Sequence, residues 1–330
     1  MKRGDALPAL ADGTGSLPVT VLGGYLGAGK TTLLNRLLRA PHGRRLVVLV
    51  NDFGEINIDA ALIRTRSSDV LQLENGCICC SIGGRLAEAL AAVGARPDRP
   101  DLLVIEASGV SDPVRIAQVG MLDPALQLNA ILVAVDVQDV DEQLCDPLVG
   151  DMVRRQISGA TALVLTKADL AGACATEKVA ARVAGMAPGA VVLAARHGEI
   201  PLAVFIDAAA SPRRPQGLLQ AGGSWKSQAG NMAGMAEVGS FSYATRRCFD
   251  RQRLRQALRT LPVPLLRAKG IVRLGGQDSV QEVHVVGGRL RIASLHGARV
   301  SESVFVFIGC FTAMGREAIL RCLEGALAAP

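Results

Sequence analysis

The chain has 330 residues with a formal net charge of +6, 49% apolar and 3% aromatic residues. At roughly 150 residues per domain this suggests about two domains, with cores built mainly from Ala, Val, Leu and Ile. So mild a charge makes no case for nucleic acid, and no stretch reaches the ~18 apolar residues of a membrane span. Eight unevenly spaced cysteines, behind an N-terminus with no apolar h-region, point to the reducing cytoplasm rather than to a disulfide scaffold.

Residues 1–17 read as a tail. Leu17–Leu22 is a strand, and Lys30–Arg39 is a helix with Leu33, Leu34, Leu37 and Leu38 on one face. Further apolar runs of strand length follow at Leu46–Val50, Val70–Leu73, Leu102–Ile105, Ala130–Val135, Ala162–Leu165 and Ala190–Leu193, with helical spacing at Leu86–Val93. Continuous apolar strands alternating with helices predict an α/β domain over residues 18–210, its parallel sheet covered on both faces. Small and polar residues over 211–237 predict a linker. Residues 238–330 change order and predict a smaller α+β domain. Its strands are Phe241–Arg246, Leu265–Leu274, Val280–Val286, Leu290–Ser294 and Val304–Ile308, with turns at Gly275-Gly276 and Gly287-Gly288. Asp250 caps a helix carrying Leu254, Leu258 and Leu261 that stops at Pro262, and a last helix spans Met314–Leu327.

Between the first strand and first helix stands Gly24-Tyr25-Leu26-Gly27-Ala28-Gly29-Lys30-Thr31, a match to G-x-x-x-x-G-K-[ST] in the context that motif needs. Its glycines let backbone N–H groups converge on phosphate, and the helix adds its positive end. Lys30 brings a charge to the β- and γ-phosphates and Thr31 a hydroxyl to Mg²⁺. Glu106 ends an apolar strand and is a candidate holder of a Mg²⁺-bound water, against the alternative of a solvated strand-end acid. Gly109 follows, free of a side chain that would keep its N–H from the γ-phosphate. Thr166-Lys167-Ala168-Asp169 closes another strand. A carboxylate there accepts from the ring N–H and exocyclic amine of guanine, a donor pair adenine lacks, so GTP is favoured over ATP. Lys167 lies over the base.

Glu74-Asn75-Gly76-Cys77-Ile78-Cys79-Cys80 places three thiols within four positions. Thiolates select Zn²⁺ and other late metals, and three of them leave a tetrahedron open, which suits release. A trio of small buried residues and a redox switch are the competing readings. Asn51-Asp52-Phe53-Gly54-Glu55 ends the second strand. Asp52 is a candidate to orient the attacking water and Glu55 a candidate fourth metal ligand, though either is also compatible with a solvated acid.

Taken together, Gly24–Thr32, Asn51–Glu55, Glu74–Cys80, Glu106–Gly109 and Thr166–Asp169 resemble the CobW-type GTPases, relatives of HypB and UreG. The likeness continues through Ser240-Phe241-Ser242-Tyr243, Leu266-Arg267-Ala268-Lys269-Gly270 and Val306-Phe307-Ile308-Gly309. The resemblance implies a metallochaperone or metal insertase in which GTP hydrolysis drives transfer. It implies Lys30, Thr31 and Thr32 on nucleotide and Mg²⁺, the cysteines on the cargo ion, and Thr166, Lys167 and Asp169 on guanine. It further implies a client metalloprotein met by the C-terminal domain, and admits a nucleotide-dependent homodimer. Zn²⁺ leads on ligand chemistry, with Co²⁺ for cobalamin synthesis and Fe for nitrile hydratase activation as alternatives. A metal-responsive regulatory module is the reading from another class, and a kinase lacks an acceptor-binding lid. The His-rich stretch many relatives carry is absent, since 211–237 holds no His. Arg251, Arg253, Arg255 and Arg259 share a helix, but without the interleaved aromatics that base stacking needs.

Overall fold

The structure is a computed structural model that describes residues 16–50, 69–72, 78–96, 98–206, 238–276, 280–295 and 300–328. Seven parallel strands form the first sheet: β1 (Leu17–Gly23), β2 (Leu46–Val50), β3 (Asp69–Gln72), β4 (Leu102–Glu106), β5 (Leu126–Asp136), β6 (Ala162–Thr166) and β7 (Val191–Ala194). Their order is β3-β2-β4-β1-β5-β6-β7. After β1 the chain fills one side of the sheet through β4, then crosses to the other, so β1 ends where the winding reverses. Such a point opens a crevice at the carboxyl edge of the strands.

The sheet is buried on both faces, as its unbroken apolar runs require. One face holds Val21, Val47, Ile105 and Val133 against Leu86, Leu90, Ile116 and Val153. The other holds Val48, Val104 and Leu132 against Leu33, Leu34, Leu37 and Leu38 of α1 (Lys30–Arg39). The two faces exchange register at a bulge in β5, where Val19 pairs with Leu128 but Thr20 with Ala130. Asn129 is the extra residue. Its Nδ2 donates to Thr20 Oγ1 (2.8 Å) and to Phe205 O (2.6 Å), so a buried amide fixes the bulge and the segment after β7 together.

A second sheet is wholly antiparallel, ordered β11-β10-β9-β12-β8. Its strands are β8 (Val238–Thr245), β9 (Arg267–Arg273), β10 (Val280–Val286), β11 (Arg289–Leu295) and β12 (Ser303–Cys310). Helices Arg251–Arg259 and Ala313–Gly325 cover one face, where Leu254, Leu258, Ile319 and Leu323 pack on Phe305 and Phe307. Asp250 caps the first helix as its sequence position predicts, accepting from the Arg253 N–H at 2.8 Å. On the opposite face Val238, Leu266 and Ile308 join the α1 cluster, so the two sheets share apolar core. Arg267, 1% exposed, sits at this junction and donates through Nη2 to Ala203 O (2.8 Å) and Ile206 O (2.7 Å).

The fold class matches the sequence reading. The helices between Pro113 and Met186 are not individually expected from the sequence, β8 begins at Val238 rather than Phe241, and two further elements depart in their bounds. β5 runs from Leu126 rather than Ala130, because buried Gln127 and Asn129 interrupt the apolar run without ending the strand. The helix expected at Leu86–Val93 spans Ile78–Gly94, starting inside the cysteine motif. Gly83 and Gly84 hid its first two turns, since glycine carries no periodicity signal. The expected linker, 211–237, lies wholly outside the described residues, as does most of the tail. No helix among the described residues is long and apolar enough to cross a membrane.

Candidate functional site

The loop between β1 and α1 is shaped by glycines in backbone conformations that a side chain resists. Gly24 has φ 131°, and a Cβ there would lie 2.4 Å from Ala134 O on β5. Gly27 and Gly29 have φ 72° and 84°, Gly29 being the residue that caps α1. No acid stands in the first turn of α1, so the partial positive charge of the helix N-terminus faces the loop. The Lys30 ammonium folds back over this loop and donates to Gly24 O (2.9 Å) and Tyr25 O (3.1 Å). Thr31 Oγ1 donates to Glu106 Oε1 at 3.2 Å. Glu106 itself is 3% exposed, so the alternative of a solvated strand-end acid is set aside. Its place follows from register, since Glu106 on β4 pairs with Leu22 on β1. A hydroxyl and a buried carboxylate at the foot of a phosphate loop are the hard oxygen donors that Mg²⁺ takes.

Gly109 lies against this loop. A Cβ on it would sit 2.7 Å from the Leu26 backbone nitrogen, so the close approach itself demands glycine. The loop that carries it is held from beneath by Gln156, 1% exposed on the helix Gly150–Ser158, whose Nε2 donates to Gly109 O (3.1 Å) and Ser111 O (2.8 Å). Asp112 then starts the helix Pro113–Gly120 by accepting from the Val114 N–H at 2.9 Å.

The Thr166–Asp169 segment closes the other flank. Thr166 Oγ1 is buried and lies 2.8 Å from Ala28 O and 3.1 Å from Val135 O. Its hydroxyl thus ties the end of β6 to the phosphate loop. Lys167 takes φ 56° and ion-pairs with Asp136 at the end of β5. The hydrogen bond to that carboxylate holds the Lys167 ammonium above its ordinary pKa. The same buried Asp136 charge raises the neighbouring Asp139. Asp169 accepts from the His197 backbone N–H at 3.1 Å, which is the main cause that lowers its pKa, and its Oδ2 lies 3.2 Å from His197 Nδ1. Thr32, exposed on the first turn of α1, borders the same loop, since a Cβ on Gly198 would meet its Cγ2 at 2.8 Å.

Asp52, Glu55 and Cys77 lie outside the described residues, and of Cys79 and Cys80 only the helical backbone is described. The described flanks of those segments are informative. Val50 pairs with Glu106 and with Gln72, so the chain enters both segments from the strand edge that carries the phosphate loop. Sequence reading did not single out Gln156, Asp136 or His197. Asp136 ends an apolar strand just as Glu106 does, so the same signal was available there. Gln156 and His197 act through contacts distant in sequence and left none.

Residues 18–194 match the family described as "CobW/HypB/UreG, nucleotide-binding domain", and residues 238–327 match "Cobalamin synthesis protein cobW C-terminal domain". The chain is 36% identical over 199 residues to "Zinc chaperone YjiA" of Escherichia coli, covering 58% of this chain and 61% of that one. It is 33% identical over 222 residues to "Zinc chaperone CobW" of Pseudomonas aeruginosa, covering 58% and 59%. The matched stretch is therefore about three fifths of these relatives' own length. Among solved structures, Zn(II)-bound YjiA GTPase from E. coli aligns over 94% of this chain and 99% of its own, at 24% identity and a TM-score of 0.44. With a family match over most of its first sheet and its connecting helices, and a second over the antiparallel unit, the chain belongs to the CobW/HypB/UreG family.

Proposed function

We propose that this chain hydrolyses GTP and uses the cycle to deliver a thiophilic metal ion, zinc first, to a client metalloprotein. The observation that carries the reading is the assembly on one strand edge of Lys30, the Thr31–Glu106 pair and Asp169. The flanks of the cysteine segment leave the same edge at Gln72. The family and the zinc chaperones to which the chain is similar support the same reading.

In this account the loop N–H groups and α1 bind the β- and γ-phosphates, and Lys30 turns from the Gly24 and Tyr25 carbonyls to the phosphate oxygens. Thr31 and Glu106 would hold Mg²⁺, which when bound offsets negative charge on those oxygens. Water attacks the γ-phosphorus and the bond to the bridging oxygen breaks. GDP leaves with that electron pair, and the proton of the water ends on inorganic phosphate. Asp52 orients the water. Lys167 covers the base and Asp169 accepts its two donors, while Thr166 keeps the end of β6 against the phosphate loop. Gln156 positions Gly109 for the γ-phosphate. Cys77, Cys79 and Cys80 take the cargo ion, with Glu55 as a fourth ligand. Loss of the γ-phosphate releases the segments around Asp52 and Gly109 and lowers the hold on the metal. We further propose a division at 211–237 between a nucleotide unit (18–210) and a client-facing unit (238–330), a nucleotide-dependent homodimer and a cytoplasmic location.

Direct titration tests the metal half of this reading. Purified apo chain with Co²⁺ should develop thiolate charge-transfer absorption at one equivalent. Replacing Cys77, Cys79 and Cys80 together by serine should abolish it. Unchanged absorption in the triple variant removes the cysteines as the cargo site.

A further inference from the structure

Asp169 has a partner on each oxygen, and both come from His197. The backbone N–H reaches Oδ1 at 3.1 Å and the imidazole Nδ1 stands 3.2 Å from Oδ2. His197 is held there from several sides. Its φ of 49° lies in the left-handed region, which few residues other than glycine adopt, histidine, asparagine and aspartate more often than the rest. Arg36 on α1 donates through Nε to the His197 carbonyl at 3.0 Å and ion-pairs with Glu199 at 3.4 Å. Ala195 N–H donates to Leu165 O at 2.7 Å, which fixes the start of the loop to β6. Gly198, at φ 74°, packs on Thr32. The backbone strain at His197 is thus maintained by contacts that deliver its imidazole to one carboxylate.

A carboxylate has about four lone-pair sites on its two oxygens. Two donors from His197 leave one site on each oxygen, and guanine brings two donors, its ring N–H and its 2-amino group. We propose that His197 is a specificity-determining positioning residue. By gripping Asp169 at both oxygens it sets the carboxylate to accept both guanine donors at once, and so sharpens the choice of guanine over bases lacking the 2-amino group. This rests on the reading that Asp169 binds the base. With its proton on Nδ1, the imidazole does not touch the nucleotide and acts through Asp169.

Binding of GDP, IDP and ADP to the full chain, measured by calorimetry, tests it. IDP differs from GDP only by the missing 2-amino group. His197→Gly keeps the backbone N–H and accepts the left-handed backbone, but removes the imidazole. The GDP-to-IDP affinity ratio should fall about tenfold in that variant, the scale of one lost hydrogen bond to a charged group. His197→Asn tolerates the same backbone and restores a side-chain donor, so it should recover most of the ratio. A role in loop stability alone would weaken GDP and IDP equally and leave the ratio at its wild-type value, which would overturn the proposal. A wild-type chain with no preference for GDP over ADP would instead overturn the guanine reading beneath it.

Discussion

Lys30→Ala is expected to lower GTP turnover by about 100- to 1,000-fold, the usual scale for removing one preorganised group that stabilises transition-state charge. Lys30 contributes the one side-chain cation of the phosphate loop, Gly24–Thr31. Its ammonium rests on two carbonyls of that loop, at 2.9 and 3.1 Å, where it costs little to redirect it onto phosphate oxygens. Both hydrogen bonds are only partly buried, so water can replace the lost donor. The alanine variant should therefore keep its thermal transition within a few degrees of wild type. Phosphate release at saturating GTP, read beside a melting curve, separates loss of chemistry from loss of fold. Turnover within a few-fold of wild type, in a folded variant, would remove the loop from the reaction.

Asp169→Asn should exchange one base for another. In the proposed function Asp169 accepts two donors from the guanine edge, and an amide would offer one acceptor and one donor in their place. Guanine then meets a donor with a donor, and GDP affinity should fall by at least about 100-fold, since a buried mismatched polar pair costs several kcal/mol. Xanthine carries a ring N–H beside a carbonyl, which an amide complements, so XDP affinity should rise as GDP affinity falls. The local structure should survive, because the Asn oxygen still accepts the His197 N–H that now lies 3.1 Å from Asp169 Oδ1, and the imidazole can move its proton to Nε2 so that Nδ1 accepts from the new amide. Competition of GDP and XDP for the variant measures the exchange. Equal loss of both would point to collapse of the loop rather than altered recognition.

Much of this architecture is written locally. Apolar runs such as Leu46–Val50 and Ala162–Leu165 become buried interior strands because nothing polar interrupts them. The phosphate loop is legible because glycines at 24, 27 and 29 serve a backbone that few other residues allow. The site is less legible wherever a residue works across the fold. Gln156 looks like a helix-surface amide in sequence and is a buried clamp on Gly109 and Ser111 in space. His197 sits in a polar loop, and only the register of β6 beside β7 brings it to Asp169. Arg267 reads as a strand residue, yet its guanidinium is buried against Ala203 and Ile206 because the two sheets share a core. The family resemblance implies that Thr166 meets the base. The packing of Gly29 against it, with its hydroxyl on Ala28 O, gives it a part in holding the phosphate loop.

Coupling between the nucleotide and the cysteine segment is the claim on which delivery depends. Glu106 contacts Thr31 and pairs in register with Val50, which pairs with Gln72 immediately before that segment. The most direct measurement is the Zn²⁺ dissociation constant by competition with a chromophoric chelator, in GTP–Mg²⁺ with a turnover-deficient variant, in GDP–Mg²⁺, and without nucleotide. The account predicts an affinity that differs between the GTP and GDP states by about 5- to 150-fold, the range of ordinary allosteric coupling, with the tighter site in the GTP state. Identical zinc affinity in all three conditions would contradict it.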